Sequence, residues 1–368
     1  MKFKLFITIF FIAVFAVPLI SVAHGEEDHQ HEHPAAQHQE PIAHHAPATD
    51  DGKFNAKKVI LDHISDSHEW HFFSYPSSDG YKHAALPLPC IFYNSKNGFS
   101  FFLFNALHHG AVDGYSLNAE HKIGRTDGEG FYDLSITKNV FAMMLSSILL
   151  IWLFRTAAKG YTTRPNQAPT GLQNLMEVLV SFVRDEAAKP FLGKKTDKYL
   201  PYLLTVFFFI WINNMLGLLP GGANVTGNIA VTTTLALFTF ILILTGSRKH
   251  YWMHILNPPG IPLGVKIILV PVEILGIITK PFALLIRLFA NMTAGHLIVL
   301  SFLSMIFIFG QMSPIAGGGI SIFSVAFSTF IYLLEMLVCA LQAYIFTMLS
   351  AVFISEAIVE HTHSEEHH

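Results

Sequence analysis

An all-α polytopic membrane protein with about five membrane helices is the fold class this sequence predicts, on three observations. Hydrophobic residues make up 52% of the 368 positions and charged residues only 13%, against roughly 45–50% and 25% in soluble domains. The mean hydropathy is positive. The apolar residues also gather into runs long enough to cross a hydrocarbon core about 30 Å thick, at 139–154, 199–219, 229–245, 264–309 and 321–354. The net charge of −3 implies no nucleic-acid partner. The only two cysteines are Cys90 and Cys339. The second lies in an apolar run, so no disulfide and no cysteine-based metal motif is expected.

Residues 1–23 start with Lys2 and Lys4, continue through a short apolar stretch and end Ser21-Val22-Ala23. A charged start, an apolar core and a small-x-small end predict a cleaved secretory signal peptide, which puts the mature N-terminus outside the cytoplasm. Residues 24–51 are rich in His, Glu, Gln, Ala and Pro, a composition that cannot bury a core and predicts a disordered spacer. Residues 52–137 read as a small extracytoplasmic region with a weak helix at 55–66 and strands at 70–75, 90–93 and 99–104. Asn97-Gly98 between the last two predicts a hairpin. His68-Glu69-Trp70-His71 lacks the two intervening residues that put both histidines of a zinc protease on one helix face.

The first span, 139–154, is bounded by Arg155, Lys159 and Arg164. Within 171–188, Leu172, Leu175, Met176, Leu179, Val180 and Val183 recur at helical spacing among charged residues; an amphipathic helix on the membrane surface fits that pattern. The basic loops 155–198 and 247–266 contrast with 220–228, which has no lysine or arginine. The positive-inside bias makes the basic loops cytoplasmic.

The run 264–309 is anomalous. As one helix it would extend about 69 Å, more than twice the hydrocarbon core. Either it divides near Lys280-Pro281 or it lies steeply tilted. A turn at 311–319 then leads to 321–354, also overlong. If 264–309 crosses once, the tail 356–368 is cytoplasmic. Glu273, Arg287, Asn291 and His296 interrupt the first run, and Glu335 and Gln342 the second. Arg287 and Asn291 share a helix face, Glu273 projects nearly the same way about 21 Å earlier, and His296 points oppositely about 13 Å later. A guanidinium at bilayer depth costs about 2.5–3.5 kcal/mol on insertion scales. It does not deprotonate, so it can hold a fixed charge but cannot relay a proton. Titratable groups on both sides of such a cation point to an ion path.

Three stretches carry a family resemblance: Arg287-Leu288-Phe289-Ala290-Asn291-Met292, Leu341-Gln342-Ala343-Tyr344-Ile345-Phe346, and Asn213-Asn214-Met215-Leu216-Gly217-Leu218-Leu219-Pro220. In this order they resemble subunit a of the rotary F-type ATP synthase over residues 139–354. The resemblance implies a non-catalytic, proton-translocating stator subunit of a bacterial inner membrane, without a cofactor. Its partners would be the c-subunit ring, the b-subunit stator stalk, the remaining synthase subunits and the lipid bilayer. It further implies that the two overlong segments form a long tilted hairpin against the ring. Arg287 would face the ring carboxylate with Gln342 and Asn291 as polar neighbours, and Glu273 would lie on the exit path. Many bacterial members carry Glu on the first helix and His on the second for the entry path; here His296 and Glu335 are exchanged. Ala290 replaces the usual glycine before the asparagine.

Two other classes remain open on the residues. A self-contained secondary transporter would show an internal repeat, and none is found. A metal-handling protein built on the N-terminal histidines would lose its function if 26–48 were deleted.

Overall fold

The computed structural model describes residues 21–23, 49–50, 53–77, 80–118, 123–219, 221–247, 249–258 and 260–358. The low-complexity segment 24–51 lies, apart from 49–50, outside the described residues, and so does the signal-peptide stretch before residue 21. The N-terminal region begins with β1 (Ser21–Ala23), β2 (Thr49–Asp50), β3 (Lys53–Phe54) and the short helix α1 (Ala56–Ile64). There follow β4 (Glu69–Ser77), β5 (Gly80–Pro87), β6 (Pro89–Asn94), β7 (Gly98–Leu103), β8 (Tyr115–Leu117), β9 (Ile123–Arg125) and β10 (Phe131–Asp133). The Asn-Gly hairpin forms as expected, with Asn94 paired to Gly98. It belongs to an antiparallel sheet of order β1-β10-β6-β7. Alternate residues of β6 turn inward, and Cys90 and Phe92 join Leu107, Tyr115 and Phe131 in a small aromatic core. The β4–β5 hairpin was not legible, because Lys82, His83 and Pro87 break the apolar alternation of its second strand.

Two devices join this region to the first long helix, α2 (Lys138–Thr163). Asp66 accepts from Thr137 Oγ1 (2.8 Å) and from the Asn139 amide (3.1 Å), so it satisfies orphan groups at the helix start. The buried Lys138 ammonium donates to the carbonyls of His63 (3.3 Å) and Ser65 (3.1 Å). Cys90 and Cys339 are both free and buried.

The remaining helices are α3 (Leu172–Phe182), α4 (Thr196–Gly217), α5 (Ile229–Gly246), α6 (Lys249–Leu256), α7 (Leu263–Met312) and α8 (Pro314–Ile358). Five apolar stretches are long enough to cross a membrane, one of them running from Leu172 to Gly217. The surface-helix pattern is therefore not an isolated element. A π turn at Val183–Ala188 and short helical turns at Lys189–Leu192 and Gly193–Lys195 carry α3 on into α4. Its buried face is Gln173, Met176 and Val183, while Leu175 and Val178 are exposed. Helix α4 holds the centre of the bundle. Tyr202, Leu203, Val206, Phe209 and Ile210 are all buried, and Tyr202 Oη and Thr239 Oγ1 of α5 satisfy each other at 2.8 Å.

Helix α7 is unbroken over 50 residues although Pro271 and Pro281 lie inside it, so the division near Lys280-Pro281 does not occur. At 1.5 Å per residue it extends about 75 Å. The expected turn at 311–319 also contracts, to Ser313 alone. Ser313 is extended, and Pro314 opens α8, a position where its missing N–H costs nothing. The three glycines are helical, and the first of them lets the two helices approach closely: a Cβ on Gly317 would stand 2.7 Å from Gly310 Cα. At the other end α8 runs four residues past the expected end of the run at 354, with Ala357 and Ile358 buried. Lys195 Nζ closes its C-terminus on the Ile358 carbonyl at 2.8 Å, a favourable place for a cation.

Candidate functional site

The polar residues of α7 and α8 meet across an antiparallel hairpin, so higher positions on one helix face lower positions on the other. Asn291 Nδ2 donates to Gln342 Oε1 at 2.9 Å. Further along, His296 Nδ1 and Glu335 Oε1 lie 2.9 Å apart, with the side chains only 9% and 6% exposed. The exchanged pair therefore does face itself. The other ring nitrogen, Nε2, reaches the Gly217 carbonyl at the end of α4 at 3.3 Å. The imidazole thus links a carboxyl to a backbone carbonyl. The carbonyl only accepts, so its contact needs the proton on Nε2, and the Glu335 contact is then a hydrogen bond if a second proton sits on Nδ1 or on the Glu335 carboxyl.

Close packing sets this geometry. A Cβ on Gly295 would come within 2.6 Å of the Glu335 carboxyl carbon, so only a glycine lets that carboxylate rest against α7. Met292, Cys339 and Leu218 form a small buried cluster with Cys339 Sγ 3.9 Å from Met292 Sδ. In position along both helices it lies between the Asn291–Gln342 and His296–Glu335 contacts. Tyr332 Oη donates to the Leu218 carbonyl, and Thr226 Oγ1 donates to Asn214 Oδ1 at 2.5 Å. These contacts explain why the Asn213–Leu219 stretch carries signal: it supplies backbone acceptors and anchors beside the histidine.

Arg287 stands one turn from Asn291. It is partly exposed and makes no hydrogen bond or ion pair with another described residue. Around it α7 exposes Phe282, Ala283, Ile286, Ala290, Asn291 and Ala294, and α8 exposes Leu334, Leu337 and Leu341. The cation therefore sits in an open apolar face.

Glu273 is exposed near the start of α7, about 21 Å from Arg287 along the helix. Its surroundings contain residues that the charge pattern missed. Lys280 pairs with Glu356 of α8 and lies 5.4 Å over the Phe353 ring. Tyr251 of α6 has its pKa raised by burial and then by the charges of Glu356 and Glu273. Glu356 was assigned to the tail, although Ile354, Ala357 and Ile358 beside it continue the helical apolar pattern. Among the described residues, no group of three or more His, Cys, Asp or Glu side chains is placed to hold a metal ion.

A family model described as ATP synthase A chain matches residues 140–355. The chain belongs to that family. Bacterial proteins named ATP synthase subunit a are similar to it. That of Chloroherpeton thalassium is 44% identical over 276 residues, which cover 72% of this chain and 79% of the relative. That of Chlorobium phaeobacteroides is 46% identical over 244 residues, 64% of this chain and 70% of the relative. The ATP synthase subunit a 2 of Chlorobaculum tepidum is 49% identical over 242 residues, 64% and 66%. Arg287, Glu273, Asn291, His296, Glu335 and Gln342 all fall inside the ATP synthase A chain match, and Glu356 lies one residue beyond it. A second model, described as a domain of unknown function, matches 59–141.

Proposed function

We propose that this chain is the non-catalytic, proton-conducting stator subunit of a bacterial rotary ATP synthase, which couples a proton gradient to rotation of a ring of small carboxylate-bearing subunits. Arg287 carries the reading, as a fixed positive charge in an exposed apolar face with no described partner in its own chain. Small side chains at 283, 290 and 294 flank it and leave room for close approach by another helix. That partner is the c ring, and the b-subunit stalk and soluble sector complete the assembly.

A carboxyl buried against lipid favours its neutral form, whereas a cation within about 4–6 Å lowers its pKa by roughly 1–3 units. A ring carboxyl that arrives opposite Arg287 releases its proton towards the Glu273, Lys280 and Glu356 side, which opens to the cytoplasm. Once past, it takes up a proton delivered through His296 and Glu335 from the outer side and re-enters lipid neutral. Arg287 also separates the two half-paths, because a fixed cation repels a hopping proton. A potential of 100 mV contributes about 2.3 kcal/mol per charge that crosses and biases the direction of rotation.

In this reading the N-terminal region and the 218–228 segment lie outside, the C-terminus lies in the cytoplasm, and residues 1–23 are removed on export. Cleavage after Ala23 also removes β1 and leaves β10 at the sheet edge. Purification of the tagged chain in mild detergent tests the assignment. It should co-migrate with a ring of small hydrophobic subunits and a soluble ATPase; recovery of a stable, functional chain without either removes it.

A further inference from the structure

The N-terminal region is anchored to the bundle at the end that holds the His296–Glu335 pair. Residues 63–67 are clamped onto the start of α2 from both strands of contact: Lys138 Nζ takes the carbonyls of His63 and Ser65, and the Lys138 amide donates to the Ser67 carbonyl at 2.8 Å. Asp66 binds Thr137 and Asn139. The next strand, β4, docks on the segment that follows α4. Trp70 Nε1 donates to the Gly221 carbonyl at 2.6 Å, and the indole stands edge-on to Phe141 of α2 at 5.6 Å. Four residues before Gly221 is Gly217, whose carbonyl faces His296 Nε2. Helix α1 and β3 pack directly on α7, the helix that carries His296.

We propose that this region builds the outer mouth of the half-path ending at His296, and that the His63 side chain passes protons between outside water and the His296–Glu335 pair. This rests on the proton-conducting reading given above. His63 is exposed on α1 yet within electrostatic range of His296, of Lys138 on α2 and of His71 on β4. Asp66 lies three residues on, and Glu335 lies behind His296. Only the backbone carbonyl of residue 63 enters the clamp, so the imidazole is not needed to hold the fold together.

Its chemistry suits transfer. Partial desolvation, then the charges of Lys138, His296 and His71, lower its pKa to about 4, so it rests neutral. A neutral imidazole accepts at one nitrogen and donates from the other, and a proton can pass without a lasting charge beside Lys138. The same shift has a stability consequence. Between about 4 and 6.5 the unfolded chain binds the proton that the folded one refuses, so stability at this residue rises with pH across that window.

The test uses the complete synthase in inverted membrane vesicles, with His63→Gln, His63→Glu and Arg287→Ala compared at equal assembled amounts. Proton flux that enters from the outer side and is coupled to ATP synthesis should fall at least threefold in His63→Gln, most strongly when the outer-side pH is above neutrality, where free protons are scarce. Added imidazole should recover part of it. His63→Glu should restore flux with an optimum moved towards acid, a change that a purely structural role would not produce. If His63→Gln matches the unaltered enzyme in flux and pH profile while Arg287→Ala is inactive, the outer-mouth assignment is overturned and the broader reading stands. If Arg287→Ala also pumps normally, both are lost.

Discussion

A synthase carrying Arg287→Ala is expected to assemble normally and to pump no protons when driven by ATP, with acidification of inverted vesicles at the leak baseline. The expectation follows from the isolation of this side chain. Because no described neighbour pairs with it, its removal leaves no uncompensated partner in its own chain and should spare folding. What disappears is the charge available to a visiting carboxyl. A depression of roughly 1–3 pKa units corresponds to about 1.4–4 kcal/mol of preference for the ionised form, or about a tenfold to thousandfold change in the fraction that releases its proton. On the proposed mechanism the barrier between the half-paths goes as well, so passive leak should rise while coupled pumping falls. Arg287→Lys should recover little, since an ammonium shifts its pKa readily when buried and loses the charge at this depth. Near-normal pumping by the alanine variant rules the mechanism out.

The second large effect is expected at the exchanged pair. His296→Ala and Glu335→Ala should each reduce conduction strongly, and the double alanine variant should cost little more than either alone, because side chains 2.9 Å apart act as one unit. His296→Glu combined with Glu335→His should recover more flux than either single replacement, which leaves two carboxyls or two imidazoles in contact. Gly295→Ala should resemble Glu335→Ala although it removes no titratable group, since its methyl would collide with the carboxyl. Initial rates of ATP-driven acidification at several pH values check all of these. Additive losses in the double alanine variant, or full activity in Gly295→Ala, would contradict a cooperating pair.

Much of this architecture was legible in the residues because a bilayer leaves few choices. Apolar run length located the five spans, and polar residues stranded inside those runs located Arg287, Asn291, His296, Glu335 and Gln342. Helical spacing alone could not tell whether α7 breaks at Pro281, since a proline can be absorbed where packing and local adjustment satisfy the freed carbonyl. The tip at 313 was hidden because three consecutive glycines suggest a loop, whereas here all three are helical and Gly317 lets α8 approach α7 closely. Gly295, the Gly217 carbonyl and the Lys280–Glu356 pair were missed for a shared reason. Their importance lies in what they touch across the hairpin or from α4, and that is invisible along one strand of sequence. The N-terminal region was least legible, because its contacts with α2, α7 and the 217–228 segment are all long-range.

The arrangement as a whole depends on the open face around Arg287 being the face that meets the rotor. Disulfide trapping reads this out directly, in a background where Cys90 and Cys339 are replaced and the ring carries one cysteine beside its carboxyl. Cysteines at the exposed Ile286 and Ala290 should cross-link to the ring on oxidation and stop ATP-driven rotation until reductant is added, while cysteines at the buried Leu284 and Leu288 should not. An assembled complex in which neither exposed position cross-links, or in which the buried positions react as readily, would show that the cation faces something other than the ring.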